Sequence, residues 1–226
     1  MLGAAFLLGL ALAGCGGARP VFDPAGPCVA DGRAAGAYPD LEAELPTILG
    51  GEAPTTVDSG RNCSTGALGS LVAHDLDEIR FAGATWDLGG GRGVSSVVFA
   101  IDGADLPGAW IAEFYEIGAR TAKRTDNIAV SRPAFPGAGE AWRLDTLNDL
   151  SLQSVVTWQD GRVVRVVLVA TPAAPGASRE AHDELVEAAV AATVGAASGS
   201  GVEAVVGVGV GVGVGAGASR VAPARA

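Results

Sequence analysis

The chain carries two histidines, His74 and His182, far apart in sequence. A hydroxyl nucleophile of the Ser-His-Asp kind needs an imidazole beside it, so any such chemistry here must run through one of these two. No serine sits in a G-x-S-x-G turn, and the HExxH, P-loop and S-x-x-K patterns are missing. Carboxylates are the other candidates. Glu113 and Glu116 share one helical stretch, but Glu116 and Arg120 stand at i,i+4, the spacing of a solvated ion pair. His182 also has charged neighbours at helical spacing, so Glu113, Glu116 and His182 all read as solvated helix faces. Asp75, Asp77 and Glu78 could gather Ca²⁺. They lack the glycine and spacing of an EF-hand loop and read as a solvated turn. Trp86, Trp110, Trp142 and Trp158 could line an aromatic pocket, yet each falls on an apolar pattern position and reads as core. The sequence therefore assigns no catalytic residue, no metal ligand and no cofactor. Carboxylates meeting from distant segments, as glycoside hydrolysis uses them, keep an extracytoplasmic hydrolase as the alternative function.

The third chemistry is that of sulfur. The chain opens MLGAAFLLGLALAGCGG, an uncharged apolar run that is too short to span a bilayer and ends in small residues before Cys15. Leu12-Ala13-Gly14-Cys15 resembles the lipobox of bacterial lipoproteins. The resemblance implies cleavage before Cys15, diacylglycerol on its sulfur and acylation of the new amine, and two such chains anchor stably where one does not. No Lys or Arg precedes the apolar run, so Met1 alone supplies positive charge, a departure from the usual signal. A buried N-terminal helix is the other reading of the stretch. With Cys15 lipidated, Cys28 and Cys63 remain as an even pair in an oxidising compartment and read as a disulfide. On the chain-entropy model its closure contributes roughly 3–4 kcal/mol. Free buried thiols are the alternative. Neither cysteine lies in a CxxC, and neither histidine joins them at ligand spacing.

Composition narrows the partners. Acidic residues number 25 against 15 basic, a formal charge of −10. A duplex nucleic acid demands a basic surface, and anionic headgroups repel this charge. The expected partners are the membrane, through the N-terminal lipid, and an unidentified protein or small-molecule ligand. The expected place is the extracytoplasmic face of a bacterial cell envelope.

The elements follow from periodicity. YPDLEAELPTILGG predicts a helix capped by Asp40, interrupted by Pro46, with Leu41, Leu45, Ile48 and Leu49 inward. STGALGSLVAHD predicts a second, capped by Ser64, with Leu68, Leu71 and Val72 inward. DEIRFAGATWDL alternates as a strand broken at Gly83, GGGRG turns, and VSSVVFAID gives a central strand. Asp105 caps the next helix, with Pro107 in its first turn. Its stripe is Trp110, Ile111, Phe114, Ile117, Gly118 and Thr121. NIAVSRP and EAWRLDTLN are strands. SLQSVVTWQDGRVVRVVLVA is a hairpin about Asp160-Gly161, which sets Trp158 opposite Val163 and Val155 opposite Val166. Ser178 starts a last helix to about Thr193, with Leu185, Ala188, Ala189 and Ala192 inward. This order predicts a single α+β domain, a mostly antiparallel sheet with helices packed on it. An α/β sandwich similar to that of the photosystem II extrinsic proteins is one such arrangement. The expected organisation is a signal peptide over 1–14, a flexible tether over 15–27, the domain over 28–194 and a disordered Gly/Val tail over 195–226. Glycines at every second position in the tail do not fit a phosphate-binding G-x-G-x-x-G.

Overall fold

Successive side chains on a strand point to opposite faces, and that alternation decides how this molecule is layered. The computed structural model describes residues 21–123, 125–148, 150–173 and 178–197. Its elements are β1 (Gly32–Ala34), α1 (Pro39–Glu42), β2 (Thr56–Asn62), α2 (Thr65–Leu68), a 3₁₀ helix (Gly69–His74), β3 (Ile79–Asp87), β4 (Gly93–Ala100), α3 (Gly108–Thr121), β5 (Thr125–Ser131), β6 (Ala134–Phe135), β7 (Gly139–Glu140), β8 (Trp142–Asn148), β9 (Ser151–Asp160), β10 (Val163–Pro172) and α4 (Arg179–Ala197). Eight strands form one sheet in the order β1-β2-β3-β4-β10-β9-β8-β5, antiparallel throughout. The α+β architecture predicted from the pattern is the one formed, as a single domain. No helix among the described residues is long and apolar enough to cross a membrane.

Helices cover both faces. On one, Val98, Val156, Val167 and Val169 pack with Leu41 and Leu45 near α1 and with Val186, Ala189 and Val190 of α4. On the other, Val164 and Val166 meet Leu68, Leu71 and Ile111 from α2, the 3₁₀ helix and α3. Each such buried aliphatic side chain contributes about 1.5–3 kcal/mol of transfer free energy.

Several local expectations are corrected. The β9–β10 turn is Gly161-Arg162, and Asp160 pairs with Val163, so Trp158 lies opposite Arg165 and Val155 opposite Leu168. Gly161 takes φ 59°, the left-handed conformation a two-residue hairpin wants at its first central position. The shift leaves Asp160 free to accept from Arg165 Nε at 2.7 Å. Asp40 does not cap α1. Pro39 takes the first helical position and Tyr38 precedes it, and the helix ends at Glu42, before Pro46. Asp105 does not cap α3, because Pro107 stands at the N-cap. Asp105 pairs instead with Arg162 at the surface. β3 runs unbroken through Gly83. Ile48, Val72 and Ile117, expected inward, are exposed. Ser64 does cap α2, its hydroxyl accepting from Ala67 N, and Ser178 Oγ accepts from Ala181 N at the start of α4.

Cys28 and Cys63 form a disulfide with Cα atoms 6.0 Å apart. Beside it the buried Arg61 donates to the carbonyls of Asp23, Gly26 and Pro27 at 2.7, 2.8 and 2.9 Å. These residues belong to the Gly/Pro-rich stretch read as tether. The proposed signal peptide and Cys15 lie outside the described residues, as does the Gly/Val stretch beyond Ala197. α4 extends past Val194 into the segment read as tail.

Candidate functional site

Asp145 on β8 and Ser154 on β9 are direct cross-strand partners, and both project beneath α4. Thr171 of β10 and Arg179, His182 and Asp183 of α4 complete a polar cluster. Ser154 Oγ donates to a carboxylate oxygen of Asp145 and lies 2.7 Å from His182 Nε2. Thr171 Oγ1 lies 2.8 Å from His182 Nδ1. Arg143 Nε reaches Asp145 at 3.0 Å and Arg179 reaches it at 2.6 Å, and both guanidiniums also meet Asp183.

The residue types are those of a hydrolase triad, but their order is not. In a triad the imidazole stands between carboxylate and hydroxyl and takes the hydroxyl proton. Here the serine stands in the middle and its proton is committed to Asp145. With that proton placed, His182 Nε2–H donates to Ser154, and Nδ1 accepts from Thr171. Ser154 and His182 are each 1% exposed, so neither meets solvent. Burial, then the Arg179 and Arg143 charges, hold the imidazole pKa below its ordinary value and keep the ring neutral. Burial alone would raise the Asp145 carboxyl. Hydrogen bonds from Ser154, Arg143 and Arg179 outweigh it and keep the carboxyl ionised. The cluster is a closed hydrogen-bond lock between α4 and the sheet.

His182 is therefore not on a solvated face. It shares the buried stripe of α4 with Val186, Ala189, Val190 and Thr193, an i, i+4, i+7, i+8, i+11 spacing that the sequence displays and that the charges of Asp183 and Glu184 obscure. Glu113 and Glu116 lie on α3 and are ion-paired. Exposed Glu113 accepts from His74 Nε2 at 2.8 Å, and that ring stacks on Trp110 at 4.4 Å. Glu116 pairs with Arg120 at 2.7 Å. Glu78 pairs with Arg61, and no group of metal-ligating side chains gathers among the described residues. Trp86 and Trp158 are core, while Trp110 and Trp142 are only partly buried.

The opposite face of the same strands is different. Between the C-terminal half of α3 and β8, β9 and β10 lies a groove of about 440 Å³. Phe114 and Ile117 wall it from the helix, and Leu144, Val155 and Leu168 from the sheet. No Asp, Glu, Lys, Arg or His lines it. Gly118 borders it, and a Cβ there would meet nothing within 4 Å. Thr146, 8% exposed, and Tyr115 also border it. Ser70 of the 3₁₀ helix borders it as well, and its Oγ is buried without a hydrogen-bond partner among the described residues. Burial pushes the Tyr115 phenol far above its ordinary pKa, so it stays protonated.

The α3 stripe read from sequence as core thus divides. Ile111 is fully buried, whereas Phe114, Ile117, Gly118 and Thr121 face the groove. The available signal was the shrinking side-chain size at the end of that stripe, Gly118 then Thr121.

No family model matches the chain, and neither the curated proteins nor the solved structures contain a match.

Proposed function

We propose that this chain is a lipid-anchored extracytoplasmic lipoprotein whose domain binds a small apolar ligand in the groove under α3. The observation that carries the ligand reading is an apolar, uncharged trough of about 440 Å³, within the size range of small-molecule sites. Among the described residues, the clustered Ser154, His182 and Asp145 side chains lie on the other face, with Ser154 and His182 buried. The lipobox Leu12-Ala13-Gly14-Cys15 supports the anchor, and the Cys28–Cys63 disulfide supports an oxidising compartment.

Two experiments test the two halves. Mass spectrometry of the mature protein should find an acylated Cys15 at the N-terminus, and Cys15→Ser should leave the precursor unprocessed. An unmodified Met1 terminus on the wild-type protein removes the anchor. For the groove, the neutral fluorophore 1-N-phenylnaphthylamine should brighten with the wild-type chain and not with Gly118→Phe, whose ring enters open space at the groove wall. A wild-type protein that leaves the fluorophore dark removes the ligand reading.

A further inference from the structure

We infer that His74 is a pH-operated clasp that fastens α3 to the 3₁₀ helix, tight when the imidazole is protonated and slack when it is neutral. α3 is short of other polar fastenings. Among the described residues, His74–Glu113 is the one ion pair or side-chain hydrogen bond that joins an α3 side chain to another element. The remaining side-chain bonds of the helix stay within it, Glu116 with Arg120 and Thr121 with the carbonyls of Ile117 and Gly118. Ile111 is fully buried in the first half of α3, whereas Phe114, Ile117, Gly118 and Thr121 face the groove. The clasp therefore sits where the helix passes from packed core to groove wall, and the 3₁₀ helix it grips lines the same groove through Gly69 and Ser70.

The geometry makes this contact sensitive to charge in two ways. Glu113 Oε2 lies 2.8 Å from His74 Nε2, so a proton on the ring turns a neutral hydrogen bond into a charge-assisted one. The same ring lies parallel to Trp110, with 4.4 Å between centroids and 8° between planes. A cation over an indole face gains an attraction that a neutral ring lacks. Both partners belong to α3, so one proton tightens both contacts. The elements packed most closely on the 3₁₀ helix are α2 and α3. α2 carries no titratable residue. On α3, Glu116 is taken by Arg120 and Tyr115 is buried and neutral. In the turn that follows His74, Asp75 and Asp77 bear the same sign as Glu113, and Glu78 is taken by Arg61. Histidine is the side chain that changes charge between pH 5 and 8. The docked α3 favours the protonated ring, so the clasp holds on the acid side of that window and slackens as pH rises through it. Its bearing on ligand exchange rests on the groove reading above: an apolar ligand is retained in acid and released as the pH rises.

The test is amide hydrogen exchange of the full chain at pH 5.5 and pH 8, corrected for the intrinsic rate at each pH. Amides of residues 112–118 are compared with those of β10, which report opening of the whole sheet. Relative to β10 they should open at least about fivefold more readily at pH 8, the scale of two weak charge-dependent contacts acting together. His74→Gln keeps a neutral hydrogen-bonding side chain at the site and leaves His182 as the one histidine of the chain. It should open at both pH values as wild type does at pH 8. Equal relative protection of wild-type α3 at the two pH values overturns the clasp. So does a pH response that survives in His74→Gln, which would belong to His182. For the groove, bound 1-N-phenylnaphthylamine should leave wild type at least about threefold faster at pH 8 than at pH 5.5, and should leave His74→Gln equally fast at both. Release from wild type that does not change with pH overturns the control of the groove by the clasp. A fluorophore that never binds removes the groove reading instead, and the clasp then stands or falls by hydrogen exchange.

Discussion

β8 and β9 carry two opposite kinds of polar chemistry on their two faces. Beneath α4, Asp145, Ser154, Thr171 and His182 spend their side-chain hydrogen-bonding capacity on one another and on Arg143 and Arg179. Beneath α3, the groove-lining Ser70 holds a buried hydroxyl with no partner among the described residues. The contrast separates residue type from role. A set of groups that could do hydrolysis is fully satisfied, and so it fastens a helix. A lone hydroxyl with no chemistry of its own is left unsatisfied, and so it is open to something else.

The comparison breaks most visibly at Asp145. Asp145→Ala should cost about 3 kcal/mol in urea unfolding, because it leaves two guanidiniums and Ser154 under α4 without their shared acceptor. A loss below about 0.5 kcal/mol, the level of an ordinary surface change, would mean the cluster does not lock α4.

The next effect is on pH. Burial and the neighbouring arginines depress the native His182 pKa below 6.5. The unfolded chain therefore takes up a proton near that value while the folded chain does not. The contribution of His182 to stability is complete above pH 6.5 and is lost as pH falls through 6.5 toward the native value. Comparing urea midpoints at pH 8 and pH 5 should show a steeper loss for wild type than for His182→Gln. Parallel behaviour would place His182 in contact with solvent, contrary to its 1% exposure.

On the groove side, substitutions should leave the fold alone. Gly118→Ala should stabilise the domain by about 0.5–1 kcal/mol, since the site is an exposed helix interior with room for a Cβ. A destabilisation would mean the groove is narrower than described. Smallest of all, Glu116→Ala should cost about 0.3–0.5 kcal/mol at low salt and nothing at high salt, as an exposed i,i+4 pair with Arg120 does.

The strand pattern made the sheet readable before its structure was known. The turn signal and the apolar residues on both faces of SLQSVVTWQDGRVVRVVLVA marked an internal hairpin, and Val156, Val164, Val166 and Val167 are fully buried. Its register was not readable, because Asp160-Gly161 and Gly161-Arg162 are both acceptable turns locally. The choice between them belongs to Arg165, which needs Asp160 and Glu44 around it. Caps failed for a similar reason. Asp40 and Asp105 are good capping residues, but Pro39 and Pro107 fix the chain where those helices begin.

Neither site was legible as a site. The α4 cluster joins β8, β9, β10 and α4, and only sheet topology brings Asp145 beside Ser154 and His182. A charged neighbour outweighed the apolar stripe in the reading of His182, which is the reverse of what packing decided. The groove is an absence of cover over an apolar stripe, and a pattern of residues does not reveal where the cover stops.

The grip of Arg61 on the segment before Cys28 has a mechanical consequence. A pull on the chain from its N-terminal side is met first by the three carbonyls that Arg61 holds. Should these let go, the Cys28–Cys63 bond passes the load to the end of β2, and β1, inside the closed loop, is spared it. β8 stands five strands further along the sheet from β2, roughly 24 Å at about 4.8 Å per strand. Tension therefore enters at one margin of the molecule and is arrested there by a covalent stop, while the trough near the other margin keeps its shape under strain.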